Sequence, residues 1–168
     1  RRLRAMQFPE DAGPLSHPVR PESYVEINNF YTPTVYEKGA EVVRMIEAIV
    51  GKPAFLRGMA RYVEKHDGQA ATCEDFVAAM EEASGVDLVR FRRWYTQAGT
   101  PGIGIDEAWD AERGRYTLTL SQAHKPTAGQ TEKLPLVIPI AVGLVGSEGT
   151  DLPAQLEVAQ LASAFPVE

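Results

Sequence analysis

The sequence predicts an α+β fold, with helices in residues 1–99 and a small antiparallel β-sandwich in residues 100–168. Apolar residues recur at helical spacing between residues 34 and 98, whereas apolar and polar residues alternate as in strands after residue 100. The 168 residues are 44% hydrophobic and 24% charged, which is typical of a globular protein. The change of periodicity places the boundary between the two parts near residue 100.

The first long helix is predicted to begin at Thr34. Residues 7–33 contain many prolines and little periodicity, so they are predicted to be loop. Thr34 and Glu37 have the spacing of a capping box, in which each side chain bonds the other residue's backbone N–H. Gly51 is predicted to end this helix. Its buried stripe is predicted to contain Ala40, Val43, Ile46 and Val50, widened by Val42 and Ile49.

Further helices are predicted between Gly51 and residue 99. One begins at Pro53 and ends at Gly68, the next begins after a capping box at Thr72, and the last begins after Asp87. The side chains predicted to be buried are Phe55, Met59, Tyr62 and Val63, then Phe76, Val77 and Met80 before Gly85, then Leu88, Phe91, Trp94 and Tyr95 before Gly99.

Strands are predicted after residue 100. Ile103 and Ile105 mark a short strand, residues 115–121 alternate strictly, and residues 136–145 read as a strand that is apolar on both faces. Pro139 would place that strand at a sheet edge or a bulge. Residues 146–149 read as a turn, and the last fifteen residues are assigned only as a candidate further strand. Strands without intervening helices favour an antiparallel sandwich.

Composition and charge exclude several classes of function. The net charge of −6 argues against nucleic acid as the main partner. No apolar run is long enough to cross a bilayer, and the N-terminal residues do not resemble a secretion signal. The single cysteine, Cys73, excludes an internal disulfide framework and suits a reducing compartment. These features predict a cytoplasmic protein with neither a nucleic-acid nor a membrane partner.

The histidines do not predict a metal site. His17, His66 and His124 are far apart in sequence, and none has a second ligand residue at metal-binding spacing. The HExxH motif does not occur in this chain. The chain alone is therefore predicted to bind no metal.

Tyr36 supports two interpretations. At helical spacing it shares a face with Gly39 and Val43, so it could complete a buried stripe. Gly39, however, costs about 1 kcal/mol against alanine in a helix, which suggests that another backbone or a ligand comes close to it. Tyr36 also stands near a helix N-terminus, and its phenol could donate a hydrogen bond to a developing oxyanion. The residues alone leave both interpretations open.

The segment NNFYTPTVYEKGAEVVRM at residues 28–45 begins a run of motifs that resembles the gluzincin zinc aminopeptidases, and among them the bacterial aminopeptidase N type. Residues 28–45 resemble the segment that follows the zinc site in that family. Further matches occur in the same order along the chain and together cover about residues 1–145. They are SHPVRP at 16–21, HDG at 66–68, ATCEDF at 71–76, FRRWY at 91–95 and GTP at 99–101.

The resemblance implies a fragment of a larger enzyme. Residues 1–99 resemble the later helical half of a thermolysin-like catalytic domain, and residues from 100 resemble the β-sandwich that follows it. In the family, an HExxH motif and a more distant glutamate hold Zn²⁺, the zinc-bound water attacks the scissile carbonyl, and the HExxH glutamate is the general base. The zinc-bearing half would precede this chain, a helical C-terminal domain would follow it, and peptides would be the substrates.

The resemblance also implies roles for particular residues. Tyr36 matches the tyrosine of the family's YEKG motif, which donates a hydrogen bond to the tetrahedral oxyanion. Tyr31 matches an aromatic residue lining the S1 pocket, which binds the substrate's first side chain, and Asn28 matches a residue bordering that pocket. Glu37 is expected to orient Tyr36 or the substrate. Because the zinc ligands and the general base are absent, this chain alone is expected to be inactive.

Two alternatives remain. A leukotriene-type epoxide hydrolase of the same superfamily has a similar tyrosine–glutamate–lysine–glycine motif, but the longer match over residues 28–31 favours the peptidase. A non-catalytic helical and β-sandwich interaction module would show no large exposed apolar face. The enzyme fragment, by contrast, is expected to expose such a face where the zinc-bearing half docks.

Overall fold

The computed structural model describes residues 2–152, and the candidate strand predicted at the end of the chain lies outside that range. The helices are α1 (Phe8–Ala12), α2 (Gly39–Val50), α3 (Lys52–His66), α4 (Cys73–Ser84) and α5 (Arg93–Thr96). The strands are β1 (Gly102–Asp110), β2 (Arg115–Ala123), β3 (Leu144–Val145) and β4 (Asp151–Leu152). Helices followed by antiparallel strands confirm the predicted α+β class.

One hydrophobic core joins the helices. Helices α2 and α4 and the segment around α5 supply most of its side chains, and Leu136 reaches it from beyond the β1–β2 hairpin. Its members include Val42, Ile46, Val77, Met80, Leu88, Phe91, Trp94, Tyr95 and Leu136. The residues predicted to be buried in the fourth helix are all among them. The regular helix is short, because Arg93, Trp94 and Tyr95 each donate to the carbonyl three residues back, as in a 3₁₀ turn, and not four back.

The start of the α2 helix differs from the prediction. A π-helical turn, Thr34–Lys38, precedes α2, and the predicted capping box at Thr34 does not form. Instead the Glu10 carboxylate accepts hydrogen bonds from Thr34 N (2.8 Å) and from the Thr34 hydroxyl, from a position 24 residues away. Glu10 belongs to α1, so residues 7–33 are not all loop as predicted. A 3₁₀ turn, Ile27–Phe30, adds further helical structure in that stretch.

The buried face of α2 is also rotated from the prediction. Val42 and Ile46 are fully buried, whereas Ala40, predicted on the buried stripe, is exposed. The face that carries Gly39 and Val43 borders an open groove of about 400 Å³. The segment is helical as predicted, but its buried face is centred nearer Val42 than Val43.

Helix α3 packs against α4 through small residues. Ala54 and Gly58 are its buried positions, whereas Met59 and Val63, predicted to be buried, are exposed. A Cβ added to Gly58 would lie 2.5 Å from the Met80 sulfur of α4. The helices approach so closely that only small residues fit between them, which displaces the larger side chains to the flanks.

We expect Gly58→Ala to lower the free energy of unfolding by about 1–3 kcal/mol, because the added methyl group overpacks the contact with Met80. Gly39→Ala is the matched control. In the described residues, the one atom within 4 Å of a new Cβ there, outside the helix's own backbone, is Val19 Cγ1 at 3.4 Å. That substitution is expected to stabilise the protein by about 1 kcal/mol. Urea unfolding measures the free energy of unfolding of both variants. A change of the same sign in the two variants would contradict this packing.

Helix α4 follows the sequence prediction closely. The Thr72 hydroxyl accepts a hydrogen bond from Asp75 N (3.2 Å), and the Asp75 carboxylate accepts one from Thr72 N (2.8 Å). This is the predicted capping box. Gly85 ends the helix with a φ of 75°, a conformation that favours glycine.

Strands β1 and β2 form an antiparallel hairpin from the Gly102–Ala123 pair to the Asp110–Arg115 pair. The strand predicted over residues 136–145 is wrong for most of its length, because only Leu144–Val145 is extended and paired, with β4. The backbone that precedes Leu144 instead accepts hydrogen bonds from side chains of the helical part. Trp94 Nε1 donates to Val137 O (2.7 Å), and Gln97 Nε2 donates to Leu134 O (2.9 Å). Leu136, Val137 and Ile138 pack against the core of the helical part, whereas Val142, Leu144 and Val145 are exposed. Packing on the helices therefore accounts for the first residues of this apolar stretch.

Candidate functional site

Tyr36 lies in the π-helical turn before α2 with its ring exposed to solvent. The side chain is 59% exposed, so it does not complete the core stripe as one interpretation predicted. Tyr31 is 58% exposed, and its ring is stacked on that of Tyr36 with 6.2 Å between centroids and 26° between planes. The structure therefore brings together the two tyrosines that the sequence singled out.

These two rings end a longer row of aromatic side chains. Tyr24, Phe30, Tyr31 and Tyr36 contact each other in turn, with the first two contacts edge-to-face at 5.9 Å between centroids. We call these four residues the aromatic row. Asn28 lies beside it in the 3₁₀ turn, exposed, and its carbonyl accepts a hydrogen bond from Tyr31 N (3.3 Å). The 3₁₀ turn thus fixes the backbone of Tyr31 relative to Asn28.

The Glu37 carboxylate points to a different partner. It forms an ion pair with the Arg2 guanidinium at 3.4 Å, and its side chain is 30% exposed. No described hydrogen bond joins Glu37 to the Tyr36 phenol among residues 2–152, so the expected orienting role of Glu37 has no direct contact to support it. Of the four predicted site residues, Tyr31, Tyr36 and Asn28 share one surface, and the Glu37 carboxylate lies with Arg2.

A buried ion pair involves Lys38, two residues after Tyr36 in the same π-helical turn, and sequence reasoning missed it. Lys38 Nζ lies 2.8 Å from Asp11 Oδ2 and donates to Gly99 O (2.9 Å), with the two side chains 7% and 1% exposed. Thr100 Oγ1 also donates to Asp11 Oδ2, at 2.7 Å. No local pattern reveals this pair, because its carboxylate is 27 residues away from the lysine.

The pKa of Asp11 reflects this environment. Burial alone would raise the pKa of the carboxyl group, but the Lys38 ammonium and the hydrogen bonds from Lys38 and Thr100 outweigh burial. The net result is a pKa below its ordinary value. Asp11 therefore stays ionised in the folded protein to a lower pH than it does in the unfolded chain.

This shift predicts a loss of stability in acid. Because the pKa of Asp11 is lower in the folded state, its contribution is complete above about pH 4, the unfolded pKa, and is lost as pH falls through the folded pKa. We expect Asp11→Asn to be less stable than the native protein at pH 7. The free energies of unfolding of the two proteins should become equal towards pH 2. Urea unfolding between pH 7 and pH 2 measures the difference. A difference that is constant over that range would contradict the assignment.

Apolar side chains are exposed around this site. Several large ones between residues 24 and 36 are more than half exposed, as the enzyme-fragment interpretation expects. They are Tyr24, Val25, Ile27, Tyr31 and Tyr36. No helix within residues 2–152 has the length and apolar character needed to cross a membrane.

The residues present do not fit a metal ion. Over the described range 2–152, no three His, Cys, Asp or Glu side chains are arranged so that they could hold one. His17 bonds its neighbour's backbone through Nδ1, and His124 contacts Gln122, so neither belongs to a ligand cluster. The site that this chain shows is thus an exposed aromatic surface, next in sequence to a turn whose last residue, Lys38, belongs to a buried ion pair.

Both parts of the chain match the models of known protein families. The model of the peptidase family M1 domain matches residues 2–95, and a domain of unknown function with an Ig-like fold (DUF3458) matches residues 99–167. The chain is 54% identical over 155 residues to an aminopeptidase N of Escherichia coli, covering 92% of this chain and 18% of that protein. It is 58% identical over 149 residues to an aminopeptidase N of Caulobacter vibrioides, covering 89% of this chain and 17% of that protein.

A solved structure with a similar fold is also that of an aminopeptidase. The chain superposes on Legionella pneumophila aminopeptidase A, crystallised in complex with aspartic acid, with a TM-score of 0.71 at 30% sequence identity. The match covers 82% of this chain and 15% of that one. The chain therefore spans less than a fifth of the length of these relatives.

Proposed function

The chain belongs to peptidase family M1, and we propose that it forms part of a zinc-dependent aminopeptidase that removes N-terminal residues from peptides. Residues 1–99 would complete the helical half of the catalytic domain, and residues 100–168 would form the β-sandwich beside it. The zinc-bearing half and a helical C-terminal domain would be contributed by the remainder of the enzyme. The small share of each relative that the chain covers supports this arrangement. The lone Cys73 supports a cytoplasmic location.

The exposed Tyr36 phenol carries the proposal. When a nucleophile attacks a peptide carbonyl, negative charge develops on the carbonyl oxygen, and a fixed O–H donor stabilises that charge more than it stabilises the planar substrate. Tyr36 presents such a donor from a turn that is held at one end by a part-buried hydrogen bond to Glu10 and at the other by the buried Lys38–Asp11 pair. A tyrosine that completed a core would have been buried, so its exposure favours this catalytic role.

Tyr31 and Asn28 are proposed to form part of the wall of the S1 pocket. The Tyr31 ring stacks on Tyr36, so a side chain held against Tyr31 would lie next to the carbonyl that Tyr36 contacts. Asn28 borders the same surface and fixes the Tyr31 backbone. Glu37 would act on the substrate or on Tyr36 only through the backbone of the turn, since its carboxylate pairs with Arg2.

Zinc is proposed for the full-length enzyme, where it would supply a Lewis acid at the scissile bond. Because no described cluster in this chain fits a metal, its ligands would lie elsewhere in the protein. This chain would contribute the Tyr36 phenol as a hydrogen-bond donor to the oxyanion, and the aromatic row would form one side of the site.

We expect the full-length enzyme to hydrolyse the first bond of a peptide with a free amino terminus and to leave the N-acetylated peptide intact. A zinc chelator should abolish the activity, and added Zn²⁺ should restore it, because both the nucleophile and the electrophile depend on the metal. Mass spectrometry of the products measures which bond is cut. Cleavage of internal bonds, epoxide hydrolysis alone, or full activity after metal removal would contradict the proposed function.

A further inference from the structure

Two adjacent carboxylates of α1 hold the turn that carries Tyr36. Glu10 accepts hydrogen bonds from the backbone N–H and the hydroxyl of Thr34, at the first residue of the π-helical turn. Asp11 pairs with Lys38, at the last residue of the same turn. The turn is therefore fixed at both ends, and Tyr36 lies between the two contacts.

Stability alone does not explain the Asp11–Lys38 pair. Burying two charges costs about as much as their attraction returns, so apolar residues of similar size would often be as stable. Unlike apolar contacts, the pair makes directional hydrogen bonds. Lys38 Nζ bonds both Asp11 Oδ2 and Gly99 O, and Thr100 Oγ1 donates to the same carboxylate oxygen. These bonds fix where the turn lies relative to α1 and to the start of the β part.

A π-helical turn also needs such support. Isolated π-helical turns are uncommon, because their wide i→i+5 bonding is less favourable than that of an α-helix. A turn that relaxed towards α-helical geometry would rotate residue 36 relative to α2. Displacements of about 1 Å at a catalytic group can cost about 10²-fold in rate.

We propose that Asp11 and Lys38 are positioning residues for the proposed reaction, which hold the Tyr36 phenol in the orientation that meets the oxyanion. This inference rests on the proposed function of Tyr36. Neither residue touches the substrate. Their effect on the rate passes through Tyr36, and it should vanish when the phenol is removed.

A double-mutant cycle on the full-length enzyme tests this. Lys38→Met is expected to lower kcat by about 10- to 100-fold per folded molecule, with little change in KM. In a Tyr36→Phe background the same substitution should lower kcat by less than about 2-fold. Folded material is selected by gel filtration and circular dichroism, so that loss of folded enzyme does not count as loss of rate.

Thr100→Val covers the case in which Lys38→Met fails to fold. It removes the 2.7 Å hydrogen bond to Asp11 but leaves the ion pair, so it is milder. We expect it to lower kcat by about 2- to 10-fold, and to have no effect in the Tyr36→Phe background. Arg44→Met is the matched control, because it breaks an exposed ion pair with Glu41 on α2, the helix that follows the turn. It should change kcat by less than about 2-fold in either background.

The outcomes separate the two proposals. If Tyr36→Phe retains native kcat, the catalytic role of Tyr36 and the positioning role both fail. If Tyr36→Phe is slow but Lys38→Met or Thr100→Val lowers kcat by the same factor in both backgrounds, only the positioning role is overturned. Loss confined to the enzyme that still has the phenol supports the inference.

Discussion

Tyr36→Phe in the full-length enzyme is expected to lower kcat by about 10²- to 10³-fold, the scale found for loss of one oxyanion donor. KM should change by less than about 3-fold, because the hydrogen bond strengthens only as charge develops on the carbonyl oxygen. The substitution keeps the ring and its stacking on Tyr31, so only the donor is removed. Steady-state kinetics with a dipeptide substrate measure both constants.

Tyr24→Phe is the matched control for this variant. Tyr24 belongs to the same aromatic row and is 54% exposed, close to the 59% of Tyr36. Its hydroxyl has no assigned part in the reaction, so kcat should stay within about 2-fold of native. Equal kinetics for the two variants would remove Tyr36 from the mechanism.

Lys38→Met is expected to lower the free energy of unfolding by about 3–5 kcal/mol, because it leaves the Asp11 carboxylate buried without its cation. The Asp11 side chain is 1% exposed, so water cannot replace the lost partner without opening the structure. The ammonium also lies 5.9 Å from the centroid of the Trp94 ring, and that contact is lost as well. Urea unfolding of the protein measures the change.

Arg44→Met gives the scale for an ordinary ion pair. Arg44 pairs with Glu41 on the surface of α2, where its side chain is 75% exposed. Exposed pairs of this kind contribute about 0–1 kcal/mol, so this variant should unfold almost as the native protein does. If Lys38→Met were no more destabilising than Arg44→Met, the Asp11–Lys38 pair would not be buried as described.

Local signals in the sequence predicted local structure well. The Thr72 capping box and the end of α4 at Gly85 were predicted because all their contacts lie within one turn of helix. The same pattern at Thr34 was misleading, since Glu10 lies nearby in space and binds Thr34 more effectively than Glu37 could. A short-range motif contains no information about a hydrogen-bond acceptor from a distant part of the chain that bonds the same residue.

The same distinction applies to the site. The resemblance to the aminopeptidases implies one site for Tyr31 and Tyr36, and in the structure their rings are stacked. The Asp11–Lys38 pair could not be predicted, because it depends on how α1 packs against the turn before α2. Residues 136–145 are apolar on both faces, which predicts one strand at a sheet edge or a bulge. In the structure Leu136, Val137 and Ile138 instead pack against the core of the helical part, a long-range contact that no local pattern reveals.

The affinity for a tetrahedral transition-state analogue, such as a phosphinic dipeptide, tests the central claim most directly. Its oxyanion resembles the charge that Tyr36 is proposed to stabilise, whereas an unreactive planar substrate analogue lacks that charge. For Tyr36→Phe in the full-length enzyme, we predict that the phosphinic dipeptide binds about 10²-fold more weakly and the planar analogue binds almost unchanged. Equal affinity of the native enzyme and the variant for the phosphinic dipeptide would contradict the account.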